Sequence, residues 1–145
     1  MKALLQRVSQ ASVAVDGQPL AAIGQGLLVL LGVEPEDDAA AVDWMADKVL
    51  ALRVFPGDGK AMNRSVTDVG GSVLVVSQFT LAADTSRGNR PGFSTAAAPD
   101  LAQRRYDEFC CALRARHPHI ATGRFGADMQ VALINDGPVT FLLER

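Results

Sequence analysis

Gly26-Leu27-Leu28-Val29-Leu30-Leu31-Gly32-Val33 is the stretch whose reading decides the fold. Its apolar residues do not alternate with polar ones, so it reads as a strand covered on both faces, the centre of a sheet. It is far too short to span a bilayer. On its N-terminal side, residues 2–15 mix Leu4, Val8, Val13 and Val15 with polar partners, which predicts one bent strand or two short ones meeting near Ser9-Gln10. Asp16-Gly17 is a hairpin signal, returning the chain through Leu20 to Ile23.

On the C-terminal side, the acids of residues 34–38 suit a helix N-terminus, by capping and by the helix dipole. Val42, Met45, Val49 and Leu52 then recur at helical spacing and predict a helix with one face on the sheet. Residues 55–60 read as a Pro/Gly turn, and Gly70-Gly71 introduces a second buried strand over 73–76. Residues 82–98 carry Gly, Ser, Thr, Arg and Pro without periodicity and read as a long loop. Pro99-Asp100 opens a second helix with Ala102, Tyr106, Phe109 and Leu113 on one stripe, ending before His117-Pro118. The tail predicts two strands, 129–134 and 139–143, joined through Asn135-Asp136-Gly137-Pro138. With 145 residues and no linker or repeat, the expectation is a single α+β domain over residues 1–145, with two main helices.

Composition narrows the function classes. A net charge of -2 argues against coating nucleic acid through a broad basic face, although it leaves room for local phosphate contacts. Arg87, Arg90, Arg104, Arg105, Arg114, Arg116 and Arg124 crowd the C-terminal half; compositional bias or phosphate binding would each account for them. The N-terminal segment has Lys2, Gln6 and Arg7 where a signal peptide needs an unbroken apolar stretch, so a cytoplasmic protein is expected. Cys110 and Cys111 are sequence neighbours, poorly placed for a disulfide or a metal cage, and read as two small apolar helix residues. No His/Cys/Asp/Glu group has metal-ligand spacing, so no metal and no cofactor is expected.

Two stretches look like sites rather than core. Ser77-Gln78-Phe79-Thr80 places hydroxyl and amide side chains where an apolar strand ends. If the strand continues, Ser77 and Phe79 face one way and Gln78 and Thr80 the other. Backbone N–H groups at such an end can converge on one oxygen, as in an oxyanion hole; equally, Ser77 and Thr80 can satisfy the local backbone. No G-x-S-x-G elbow surrounds Ser77, and the two histidines, His117 and His119, follow a helix, where C-terminal capping is the expected role. A histidine-based triad therefore has little support. Gly137-Pro138 reads either as a plain tight turn or as a rigid wall, with a cis bond accessible at an X-Pro position.

Ser77-Gln78-Phe79-Thr80 together with Asn135-Asp136-Gly137-Pro138-Val139-Thr140 resembles the signature pair of the D-aminoacyl-tRNA deacylases. Gln6-Arg7-Val8, the 26–33 run, the 70–76 run and Thr122-Gly123-Arg124-Phe125 are also similar to that family, so the resemblance covers nearly the whole chain. It implies a barrel-like mixed or antiparallel sheet with two helices, and a homodimer in which the Gly-cis-Pro of one subunit enters the active site of the other. It further implies an esterase that edits D-aminoacyl-tRNA, and by sterics glycyl-tRNA(Ala), with no DNA or membrane partner. Carried over by position, Ser77, Gln78, Phe79 and Thr80 form the catalytic pocket and Gly137 and Pro138 the chirality filter. Arg7 braces the Gly-Pro loop, and Phe125 and Met129 line the substrate pocket. The tRNA 2′-hydroxyl is implied as the assistant in activating water. One departure stands out: Arg90-Pro91-Gly92-Phe93 replaces the Arg-Pro-Ser-Phe of many members, removing one serine hydroxyl.

Overall fold

The computed structural model describes all of residues 1–145. Strand β1 (Lys2–Val15) turns at Asp16-Gly17 into β2 (Gln18–Ile23), and the 26–33 run supplies β3 (Gly26–Gly32). Asp16 and Gly17 have φ of 52° and 73°, the two positive values that an Asp-Gly hairpin turn requires. Helix α1 (Ala39–Ala51) follows, then a small hairpin of β4 (Phe55–Gly57) and β5 (Lys60–Arg64), then β6 (Ser72–Ser77). A single 3-10 turn (Phe79–Ala82) and a loop lead to helix α2 (Pro99–Arg116), short β7 (Ile120–Thr122) and long β8 (Met129–Glu144).

The main sheet runs β2-β1-β3-β6-β7, with β8 on the other edge of β1. β3 pairs antiparallel with β1 and parallel with β6, and β6 pairs parallel with β7, so the sheet is mixed. Because β2 comes back against β6 and β7, the sheet curls toward a closed barrel. Both faces of its centre are covered. Leu27, Val29, Leu31, Val73 and Val75 pack under Met45 and Val49 of α1 and Phe109 and Leu113 of α2. Leu28, Leu74 and Val76 point the opposite way, into a second cluster with Val8, Ala11 and Val13 inside the curl. That double burial is why neither β3 nor β6 alternates in sequence.

β1 is one strand, and its bend has a structural signature. Ala3 and Leu5 face the helices, whereas Val8, Ala11 and Val13 face the interior of the curl. The change of face needs register shifts, and these fall between Gln6, Val8 and Gln10. α1 begins where the acids predict: the Asp38 carboxylate accepts from the Ala41 N–H at 2.8 Å. Asp38→Ala is expected to lower stability by about 0.5–2 kcal/mol, readable as a shifted denaturant midpoint at unchanged slope. The Met1 ammonium is buried and hydrogen-bonds Asp37 Oδ1 at 2.5 Å and the Arg145 carbonyl at 2.9 Å, tying the two chain ends together.

Several expectations need correction. The tail is one strand, Met129–Glu144, not two joined through residues 135–138. Both halves of β8 pair with β1, but between the Gln6–Thr140 and Val8–Asn135 pairs β1 advances two residues while β8 advances five. The surplus, around Gly137-Pro138, loops out of the strand. Residues 55–60 are more than a turn, because the chain continues through Asp58-Gly59 into a β4–β5 hairpin. β7 was not expected from its three residues. His117 is the C-cap of α2, as expected, but it caps through its backbone N–H, which bonds the Leu113 carbonyl, while the buried imidazole Nε2 lies 2.7 Å from the Gly71 carbonyl. Of the two cysteines only Cys110 is buried.

Candidate active site

β6 carries the chain to the rim of a mostly apolar cleft of about 480 Å³. Its walls come from β3 (Leu31), the 76–79 segment, the start of α2 (Pro99, Ala102, Tyr106), the 125–127 turn and β8 (Met129, Val131). Ser77, Gln78, Phe79, Phe125 and Met129, all expected at the site, line it together. Strand alternation ends at Ser77. From Phe79 the backbone winds into the 3-10 turn, so Ser77, Gln78 and Phe79 share one cleft instead of facing opposite ways. The winding also folds Gln78 onto its near neighbour: its amide Nε2 donates to Thr80 Oγ1 at 2.5 Å. Thr80 stands at the rim, exposed, and is not part of the lining. In the turn, Gln78 N–H bonds the Leu31 carbonyl and Leu81 N–H bonds the Gln78 carbonyl. The first N–H groups of the turn, those of Phe79 and Thr80, have no partner within it.

Tyr106 is the cleft residue that sequence reasoning missed. Its place on a buried helical stripe reads as core, and it is buried. Its hydroxyl donates to the Val75 carbonyl at 3.1 Å and its ring tilts against Phe125, centroids 5.8 Å apart. Burial holds the phenol well above its ordinary pKa, and its neighbour Cys110 is pushed up to about 11 for the same reason. Tyr106 is the only ionisable side chain lining the cleft, which has no carboxylate, histidine, lysine or arginine. The cleft therefore offers no protein base with an ordinary pKa near neutrality.

The second stretch lies elsewhere. Arg7 is only 8% exposed. Its Nε donates to the Asp136 carbonyl at 3.0 Å and lies 3.2 Å from the Asp136 carboxylate, while Nη1 donates to the Val54 carbonyl at 2.6 Å. Asn135 staples the far side: its Oδ1 accepts from Val139 N–H and its Nδ2 donates to Thr140 Oγ1, each at 3.0 Å. Held at both ends, the loop presents exposed Gly137 and Pro138, joined by a cis peptide bond. Neither residue lines the cleft.

At Gly92, the one departure the sequence showed from the resemblance, an added Cβ would meet Asp84 at ordinary contact distances of 3.7 and 3.9 Å. The backbone bridge that Gly92 makes with Asp84 needs no side chain.

Comparison with known proteins shows what the whole chain is similar to. The profile of the family described as D-Tyr-tRNA(Tyr) deacylase matches residues 4–144. A D-aminoacyl-tRNA deacylase of Teredinibacter turnerae is 58% identical over 144 residues, covering 99% of each chain. One of Pelobacter propionicus is 56% identical over 145 residues, covering 100% of both. Among solved structures, the c-Myc DNA Unwinding Element Binding Protein superimposes with a TM-score of 0.95 at 45% identity, covering 100% of this chain and 99% of that one. A structure described as a probable eukaryotic D-amino acid tRNA deacylase gives a TM-score of 0.84 at 18% identity, covering 98% of this chain and 97% of that one, a likeness of fold alone. Matched over nearly its whole length by the family profile and by full-length relatives, the chain belongs to the D-Tyr-tRNA(Tyr) deacylase family.

Proposed function

We propose that the protein hydrolyses the ester joining a D-amino acid to the 3′ end of tRNA, releasing free D-amino acid and tRNA in the cytoplasm, without a metal or cofactor. The observation that carries this reading is a mostly apolar cleft of about 480 Å³ that lacks any protein base. A substrate that brings its own assistant needs none. The 2′-hydroxyl beside the ester activates the attacking water, while Phe125 and Met129 hold the nucleoside end. Gln78 fixes Thr80 Oγ1 by hydrogen bond, leaving the threonine hydroxyl proton free to donate. Backbone N–H groups at Phe79 and Thr80 stabilise the developing oxyanion. Water adds to the carbonyl carbon, the bond to the ribose 3′-oxygen breaks, and that oxygen takes a proton.

In the same reading the working form is a homodimer in which Gly137 and Pro138 of one protomer enter the cleft of the other. Three features support it. The loop is braced by Arg7 and Asn135 yet stands outside its own cleft. The flanking β8 exposes Ile134, Phe141 and Leu142, apolar side chains that favour burial against a partner. β8 also pairs on one edge only. A backbone wall of this kind meets an L side chain but not a D one, and it has nothing to strike in glycine, so glycyl-tRNA(Ala) is accepted as well. Assayed with labelled substrates, D-tyrosyl-tRNA and glycyl-tRNA(Ala) are expected to be deacylated and L-tyrosyl-tRNA spared; equal rates for L- and D-tyrosyl-tRNA would remove the chirality filter.

A further inference from the structure

Between the 3-10 turn and α2 the chain makes a pinched excursion whose form and charge the cleft alone does not explain. Asp84 and Gly92 close its neck through two backbone hydrogen bonds, of 2.8 and 2.9 Å. Inside the neck, Asp84 Oδ1 accepts from Ser86 N–H at 2.9 Å, and hydrogen bonding from Ser86, its hydroxyl first and its backbone N–H second, holds the carboxyl below its ordinary pKa. Gly88 supplies a left-handed φ of 64° at the tip. The outgoing end is pinned to the cleft: Phe93 tilts against Phe79 with centroids 5.1 Å apart, Thr95 Oγ1 donates to the Ala82 carbonyl, and Ala97 N–H bonds Val33. Phe79 and Ala97 are themselves cleft residues.

The tip, residues 85–91, carries Arg87 and Arg90 and no acidic residue. Both are exposed. The ion-paired arginines of the fold are Arg7, Arg105 and Arg116; Arg87 and Arg90 are not among them. Two free planar cations on a built loop, attached to the rim of a cleft that takes a terminal nucleoside, meet the chemistry of the next phosphodiesters along the strand. Guanidinium forks grip phosphate oxygens bidentately.

We propose that the 84–92 loop is a phosphate clamp for the single-stranded acceptor end of the RNA, with Arg87 and Arg90 binding the phosphodiesters immediately upstream of the esterified nucleoside. The placement next to the cleft rests on the deacylase reading, whereas the anion chemistry of the tip does not. Within that reading, the clamp supplies affinity and register, and the ester chemistry stays in the cleft.

The test compares the full-length protein with its Arg87→Ala/Arg90→Ala and Arg87→Lys/Arg90→Lys variants on two substrates: D-tyrosyl-tRNA, and D-tyrosyl-adenosine, which has the ester but no phosphate. The alanine pair is expected to lower kcat/KM on the tRNA at least about tenfold, mainly through KM, and to leave the adenosine ester unchanged. Binding of uncharged tRNA, followed against salt, should lose about 0.7 from the log–log slope per arginine removed. The lysine pair should keep most of that slope. Equal losses on both substrates would overturn the clamp, because the loop would then merely prop the cleft. An unchanged salt slope would overturn it whatever the kinetics. Should the unsubstituted protein hydrolyse neither substrate while the slope still falls, the deacylase reading fails and the clamp stands.

Discussion

Replacing the 2′-hydroxyl of the terminal adenosine by hydrogen, with the D-amino acid esterified at the 3′ position, is expected to slow single-turnover hydrolysis by about 10²–10⁴-fold, the range of a general acid–base contribution. The expectation follows from what lines the cleft. Tyr106 is its one ionisable side chain, and that phenol is buried, donates to Val75 and is held well above its ordinary pKa. The Cys110 thiol is pushed up to about 11 and is no thiolate near neutrality. His117 is occupied with the Gly71 carbonyl and is not part of the cleft. With no protein group in the cleft to take the water's proton, the proposed mechanism assigns that role to the substrate's own hydroxyl, and deleting it should remove the acid–base contribution while leaving the binding surfaces intact. The rival is an ordinary esterase with Ser77 or Thr80 as nucleophile. It requires undiminished cleavage of the deoxy substrate and a covalent acyl-enzyme detectable by mass spectrometry. Either result would place the reactivity on the protein instead of the tRNA.

Much of the scaffold was legible because its signals are local. The unalternating runs of β3 and β6 correspond to strands buried on both faces, and Ala102, Tyr106, Phe109 and Leu113 form the buried stripe of α2. Asp16-Gly17 and Pro99 announce a turn and a helix start through backbone chemistry that each carries alone. What escaped depends on distant partners. β5 has a polar sequence, Lys60–Arg64, and exists as a strand because β4 lies beside it. β7 is three residues held by β6. β8 stays one strand across Asn135-Asp136-Gly137-Pro138 because both its halves pair with β1, far away in sequence, where Arg7 also holds Asp136. The cleft is harder still, since its walls come from five separated segments and nothing in a helical stripe distinguishes Tyr106, which faces the cleft, from Phe109, which does not. The two signature stretches marked themselves as special, but spacing alone could not relate them. Within the single chain the structure sets them apart.

Gly137→Ala is expected to lower kcat/KM for D-tyrosyl-tRNA by about 10²-fold, the scale of an ångström-sized misplacement at a reacting centre, and to narrow the gap between D and L substrates. An added Cβ would sit 2.7 Å from Val139 Cγ2, 2.9 Å from Arg7 Nη2 and 3.1 Å from the Val139 nitrogen. Val139 is buried in the core and Arg7 is committed to Asp136 and Val54, so neither can yield cheaply. The glycine also has a φ of +130°, a region that L side chains rarely adopt. The loop must move, and Pro138 moves with it. Unchanged rate and unchanged discrimination would mean that the loop takes no part in the site. A mixing experiment then decides whose cleft it serves. If Gly137 acts across the dimer, a Gly137→Ala chain refolded together with a Thr80→Val chain yields heterodimers in which one site has both halves intact. Activity then rises above that of either variant alone. If each loop served its own cleft, every site in the mixture would carry a defect, and no proportion of the two chains would restore activity.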